Sequence, residues 1–176
     1  MIRPMAALLG CGALGLVLVL AGCADNAPPQ GQPSFYRDLA HADAALDANA
    51  AQSMISGYRT NNGLGGVTLD PELMRLAAEQ ARVMAERDKL DHSVGRPFAQ
   101  RIHDSGFDAG VAVENIGAGY HTLAEAFSGW RDSPPHRANM LNRNVTRMGI
   151  AAVYAPRSKY KVFWSLILAA PDEQRG

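Results

Sequence analysis

Thiols are nearly absent from this chain. Its 176 residues hold two cysteines, Cys11 and Cys23, both close to the start. The rest of the chain therefore has neither a disulfide framework nor a cysteine zinc site, and packing and hydrogen bonding have to hold it together. An excess of either charge is absent too. Seventeen basic residues face 17 acidic ones, and setting aside Arg3 with the first 22 residues leaves 16 against 17. Nor is there a basic stripe interleaved with aromatics, which argues against nucleic acid as a partner. No internal repeat occurs. Three common catalytic signatures are missing: a His-Glu-x-x-His helix, a Gly-x-Ser-x-Gly elbow and a dinucleotide loop, since Gly117-Ala118-Gly119 lacks the third glycine.

The one long hydrophobic run lies at the start. Arg3 precedes an almost uncharged apolar stretch over residues 5–20, closed by Leu20-Ala21-Gly22-Cys23. The run is short and rich in alanine and glycine for a membrane span, so residues 1–22 read as a secretory signal peptide. The Leu-Ala-Gly-Cys ending resembles the lipobox of bacterial lipoproteins, in which the cysteine is lipidated and becomes the new N-terminus. An ordinary signal cut after Ala21 or Gly22, or an uncleaved anchor, is the alternative. The lipobox implies palmitate-type acylation of Cys23 and attachment to a membrane at the bacterial cell envelope. Each buried methylene of an acyl chain contributes about 0.8 kcal/mol, and several chains make the attachment stable. Residues 23–35, with Pro28, Pro29 and Pro33, have the composition of a flexible tether.

From residue 36 to 172 the length suits a single domain able to bury roughly two thirds of its surface. Residues 36–59 are alanine-rich with spaced apolar positions and read as helix, stopped by Asn61-Asn62-Gly63. Residues 67–69 form a short extended link. Asp70-Pro71-Glu72 starts a second helix, which runs to about Lys89. Residues 97–105 make a shorter helix closed by Gly106, and residues 111–117 a strand. Thr122 opens a helix with a Thr-x-x-Glu capping box, and Ser133-Pro134-Pro135 opens another reaching Leu141. The period then changes, and residues 148–154 and 160–169 read as a hairpin. Helices first and strands last predict an α+β fold, an antiparallel sheet covered by helices on both faces.

Three titratable residues stand in marked local contexts, each 22 positions from the next: His92 in His92-Ser93, Glu114 in Glu114-Asn115-Ile116, and His136 in Ser133-Pro134-Pro135-His136-Arg137. His92 follows the end of the second helix. It can serve as a C-terminal cap, for about 0.3–1 kcal/mol, or as a ligand. His136 sits beside the positive end of a helix, which disfavours protonation and predicts a neutral imidazole. Such a ring binds a metal or accepts a hydrogen bond, and a surface position is the plainer reading. Glu114, at the edge of an apolar strand, faces solvent or lies beside a cationic or metal partner, because a lone buried carboxylate is too costly to keep ionised. His41, His103 and His121 default to solvent exposure, and Trp130 and Trp164 to core.

The order and content of these segments resemble the CAP superfamily of cysteine-rich secretory, antigen 5 and pathogenesis-related proteins, in a cysteine-free bacterial form. The resemblance covers residues 53–169. It rests on Leu90-Asp91-His92-Ser93, Glu114-Asn115-Ile116-Gly117, the helix ending in Trp130, the Ser133-to-Asn142 signature, Met148-Gly149-Ile150 and Phe163-Trp164. It implies a three-layer α-β-α sandwich with a large cleft into which two histidines and up to two acids point. His92, Glu114 and His136 occupy three of those positions. The fourth, a glutamate in many eukaryotic members, is Ser133 here; Asp132 is adjacent, and Glu125 belongs to its capping box.

These readings lead to an envelope-anchored binding module whose cleft holds a small amphipathic molecule, a lipid or a peptide, with a divalent metal such as zinc or magnesium between His92 and His136. A metal-dependent hydrolase using the same cleft is the alternative, since two histidines and a carboxylate are a catalytic zinc inventory. A structural or adhesive envelope domain is a third reading. No catalytic residue is assigned.

Overall fold

The computed structural model describes residues 31–172. The expected signal, the lipid-bearing Cys23 and residues 24–30 of the tether lie outside the described residues. After a 3-10 turn at Ser34–Tyr36 come α1 (Ala48–Asn61), β1 (Thr68–Leu69), α2 (Pro71–Arg87), α3 (Phe98–Ser105) and β2 (Ala109–Ala118). Then follow α4 (Leu123–Asp132), α5 (Pro134–Met140), β3 (Arg147–Ala155) and β4 (Lys161–Pro171).

β4 sets the layering. Residues 162–169 are buried without interruption, as in a strand covered on both faces. Side chains alternate across a strand. Val162, Trp164, Leu166 and Leu168 accordingly join one cluster with Ile55 of α1, Trp130 of α4 and Met140 of α5. Phe163, Ile167 and Ala169 face the opposite way, toward Leu73, Leu76 and Met84 of α2 and Ile102 of α3. The result is the α-β-α sandwich. All these clusters fall between residues 39 and 169, inside the unit that begins at Gln32, so a fragment starting there carries its whole core.

The sheet order is β1-β3-β4-β2. The three long strands pair antiparallel, as expected. The expected link at 67–69 turns out to contribute β1, which pairs parallel to β3 and makes the sheet mixed. Two residues carry too little pattern to be read as a strand. β2 lies at the sheet's edge, and this exposes its outer side to α5 and to the loop after α2.

Local signals placed most helices correctly. Asp70 accepts from the N–H groups of Glu72 and Leu73 at 2.9 and 3.0 Å, and Thr122 with Glu125 forms the full capping box. Gly106, at φ +82°, closes α3. The first helix is the exception. It starts at Ala48, not near Tyr36, because aspartates interrupt the alanine-rich run. Asp38 accepts from Ala40 N in a turn, and Asp47 caps α1 by accepting from Ala50 N. Such local bonds compete with a helix, and Leu39 N is drawn away to His121 O at 2.7 Å.

Two close contacts fix the layers. A Cβ on Gly149 would stand 2.1 Å from the Leu73 carbonyl, so α2 lies on β3 at a distance only glycine permits. On the other face the buried Arg59 donates to Met140 O and Asn142 O, both at 2.8 Å, and to Val145 O at 3.1 Å. It thereby ties the end of α1 to the end of α5. Among the described residues, no helix is long and apolar enough to cross a membrane.

Candidate functional site

Neighbouring residues of β2 face opposite layers, and the site is built on that fact. Glu114 pairs with Ile167 and shares its side of the sheet; Asn115 pairs with Leu166 and faces α5. The Glu114 side chain is 1% exposed and meets Arg101 of α3, which is 2% exposed. Arg101 Nη2 donates to both carboxylate oxygens, at 2.9 and 3.0 Å, and Ser165 Oγ donates to Oε1 at 3.3 Å. His92 Nδ1 lies 2.8 Å from Glu114 Oε2. Both Glu114 oxygens already accept from Arg101, an acceptor role that assigns the donor role in this contact to the ring. The neutral His92 is thus the Nδ1–H tautomer, with the Nε2 lone pair free on a side chain that is half exposed.

The segment carrying His92 is pinned from below. Arg101 Nη2 reaches His92 O at 3.2 Å and Gln80 Nε2 reaches Asp91 O at 2.9 Å. Arg101 also stacks on Phe98, 5.2 Å from the ring centroid. Arg101 Nη1 and Gln80 Oε1 are buried without a protein partner. His92 is not the helix cap that its sequence position allows. α2 ends at Arg87, where Asp88 takes the left-handed conformation and Lys89 N returns to Met84 O.

His136 approaches from the opposite layer, on the first turns of α5. Asn139 Nδ2 donates to Glu114 O at 3.1 Å and to Asn115 Oδ1 at 2.9 Å, and Asn115 Nδ2 donates to His136 O at 3.0 Å. This asparagine brace clamps α5 to the same stretch of β2 that holds Glu114. Burial, and then the nearby His92, lower the pKa of His136 from its ordinary value. The direction agrees with the neutral imidazole expected from sequence, but the leading cause is burial rather than the helix end.

The three expected residues therefore gather around one strand edge, His92 and Glu114 in direct contact and His136 within electrostatic reach of His92. The fourth position behaves as the sequence implies. Ser133 O accepts from Arg137 N at 2.8 Å to open α5. Asp132 is 66% exposed and pairs with Arg131, while Glu125 accepts from His121 N and Thr122 N. Trp130 and Trp164 are core, packed edge to face at 6.3 Å. His41 and His103 are exposed and His121 is half-buried.

The donor set fits a zinc centre poorly. Among the described residues, no three His, Cys, Asp or Glu side chains are grouped to hold a metal. The carboxylate that a zinc ion would need is committed to Arg101, which leaves two imidazoles. Magnesium, which prefers oxygen ligands, fits less well still.

Sequence reasoning missed Arg101 and gave Asn139 no role. The available signal was an arginine three residues after Phe98 and beside Ile102, on the apolar side of a short helix.

Comparison with known proteins agrees with this architecture. The profile of the cysteine-rich secretory protein (CAP) family matches residues 52–168, and the chain belongs to that family. YkwD of Bacillus subtilis (strain 168) is 29% identical over 133 residues, covering 74% of this chain and 51% of that protein. The chain thus spans about half the length of this curated relative. An outer surface protein from Borrelia burgdorferi shares the fold with a TM-score of 0.67 at 20% identity, over 74% of this chain and 97% of that one. An extracellular SCP-domain protein from Bacillus anthracis str. Ames does so with a TM-score of 0.61 at 20% identity, over 69% of this chain and 39% of that one.

Two outcomes follow. Arg101→Ala leaves a buried carboxylate without its cation and is expected to cost about 3–5 kcal/mol in urea unfolding. Replacing both partners, as Arg101→Met with Glu114→Leu, should recover most of that loss; a single mutant as stable as the parent contradicts the pairing. The lowered pKa of His136 means that the unfolded chain takes up a proton there before the folded one does. Its stabilising contribution is therefore complete above about pH 6.5 and is lost as the pH falls below that value. Between about pH 7.5 and 5.5, His136→Asn should lose less stability than the parent chain; an equal loss removes the effect.

Proposed function

We propose that this chain is an exported, lipid-anchored CAP domain whose cleft at the β2 edge binds a small amphipathic molecule or a peptide through His92 and His136. The observation that carries the reading is the 2.8 Å contact between His92 Nδ1 and Glu114 Oε2. It fixes an acceptor nitrogen at the surface, with the neutral His136 nearby as a second polar contact. Glu114 and Arg101 orient the ring and do not themselves meet the ligand. The half-exposed ring lies two residues after Leu90, which is 45% exposed, so polar and apolar contacts are offered side by side. That pairing suits an amphipathic ligand.

Export and anchoring rest on the leader composition and on the resemblance of Leu20-Ala21-Gly22-Cys23 to a lipobox. The relatives described as an outer surface protein and an extracellular protein support the same location. In this reading Cys23 carries the acyl chains and the domain faces the exterior of the membrane that holds it.

Hydrolysis is the second reading, favoured by the same Glu114–His92 pair. A carboxylate-oriented imidazole with a free Nε2 can act as a general base. Among the described residues, no serine, threonine or cysteine side chain bonds to His92, so water would be the nucleophile.

The test is solvent extraction of the purified protein followed by mass spectrometry. Binding predicts a recurrent co-purifying amphipathic molecule or peptide that is lost from a His92→Ala, His136→Ala variant. Repeatedly empty preparations favour a structural role, and turnover of ester or peptide probes that vanishes in His92→Ala favours hydrolysis.

A further inference from the structure

The end of α2 and the β3–β4 turn form a second surface, which borders His92 through Leu90 but does not depend on the ligand reading above. A hydrogen bond between Ser158 Oγ and Asp88 Oδ1 fastens the residues after α2 to the turn. A hollow of about 620 Å³ opens between them, lined by Arg82, Asp88, Tyr154, Arg157 and Ser158 among others. The charges here are uneven. Arg82, Arg87, Lys89, Arg157, Lys159 and Lys161 face Glu86, Asp88 and Asp91, six cations against three acids. The other described residues carry nine cations and twelve acids, so the excess positive charge of the domain is gathered at this end.

Pairing sharpens the imbalance. Arg82 is bound to Glu86 at 2.6 Å and Lys89 to Asp91 at 2.7 Å. Lys161 Nζ donates to Pro156 O at 2.7 Å. Arg87, Arg157 and Lys159 have no carboxylate partner among the described residues, and Lys159 lies over the Tyr160 ring at 4.9 Å. Leu90, one of two large exposed hydrophobics among the described residues, stands beside Lys89. Asp88 at φ 49° and Lys161 at φ 63°, the two non-glycine residues with positive φ among the described residues, flank this surface.

We infer that this end of the domain docks on an anionic phospholipid surface, with Leu90 entering the interface and Arg87, Arg157 and Lys159 holding headgroup phosphates. Cations without internal partners keep their full attraction for a negatively charged membrane, and one apolar side chain among them gains from partial insertion. Since His92 follows Leu90 by two residues, such docking brings the segment carrying His92 toward the headgroups.

The test uses the fragment 32–176, which carries the whole core, in vesicle co-sedimentation at about 0.1 M salt, where charge attraction reaches roughly 10 Å. The fragment should sediment with phosphatidylglycerol vesicles and stay in solution with phosphatidylcholine vesicles. Arg87→Gln, Arg157→Gln and Lys159→Gln together should lower partitioning more than about tenfold. Leu90→Asp should also lower it, and Arg143→Gln, outside the surface, should not. Equal partitioning to both vesicle types, or sedimentation that survives the triple substitution, overturns the inference. So does tight binding of inorganic polyphosphate without vesicle binding, which would make the partner a soluble polyanion.

Discussion

A carboxylate whose side chain is 1% exposed is costly to bury without a cation against it, and in this fold that cation is Arg101. The arrangement around His92 follows from this one pair. Arg101 donates to both oxygens of Glu114, Glu114 thereby faces His92 Nδ1 as an acceptor, and the other ring nitrogen is left outside that chain of contacts. Arg101 also grips the carbonyl of His92 itself, so the same side chain fixes both the chemistry and the position of the ring.

The second histidine depends on a different device. β2 sits at the edge of the sheet, so its outer side is free to receive Asn139 on Glu114 O, while Asn115 reaches across to His136 O. One strand thus organises both layers: Glu114 works toward α2 and α3, and Asn115 toward α5. Further back, Arg59 fastens the carbonyl of Met140 at the end of α5, and that of Asn142 just beyond it, to the end of α1. The segments carrying the two histidines are thus each held by side-chain hydrogen bonds.

Features with a local cause were legible in the sequence. Asp70-Pro71, the Thr122 capping box and Gly106 each specify their own neighbourhood, and the change of period late in the chain marked the β3–β4 hairpin. Resemblance to a known family placed His92, Glu114 and His136 together, which spacing alone does not do. What stayed hidden depended on distant partners. The alanine-rich stretch at 36–47 resembles a helix until Leu39 N is seen bonding to His121 O. β1 is strand only because β3 lies beside it. Arg101 reads as an ordinary surface charge until Glu114, thirteen residues later, arrives on the same side of the sheet.

The account turns on the proton of His92. Nitrogen-15 NMR of the neutral imidazole reports directly which nitrogen is protonated. It should show the proton on Nδ1 and a bare Nε2, and Arg101→Met with Glu114→Leu should abolish that preference. A ring protonated on Nε2 in the parent chain would contradict the account.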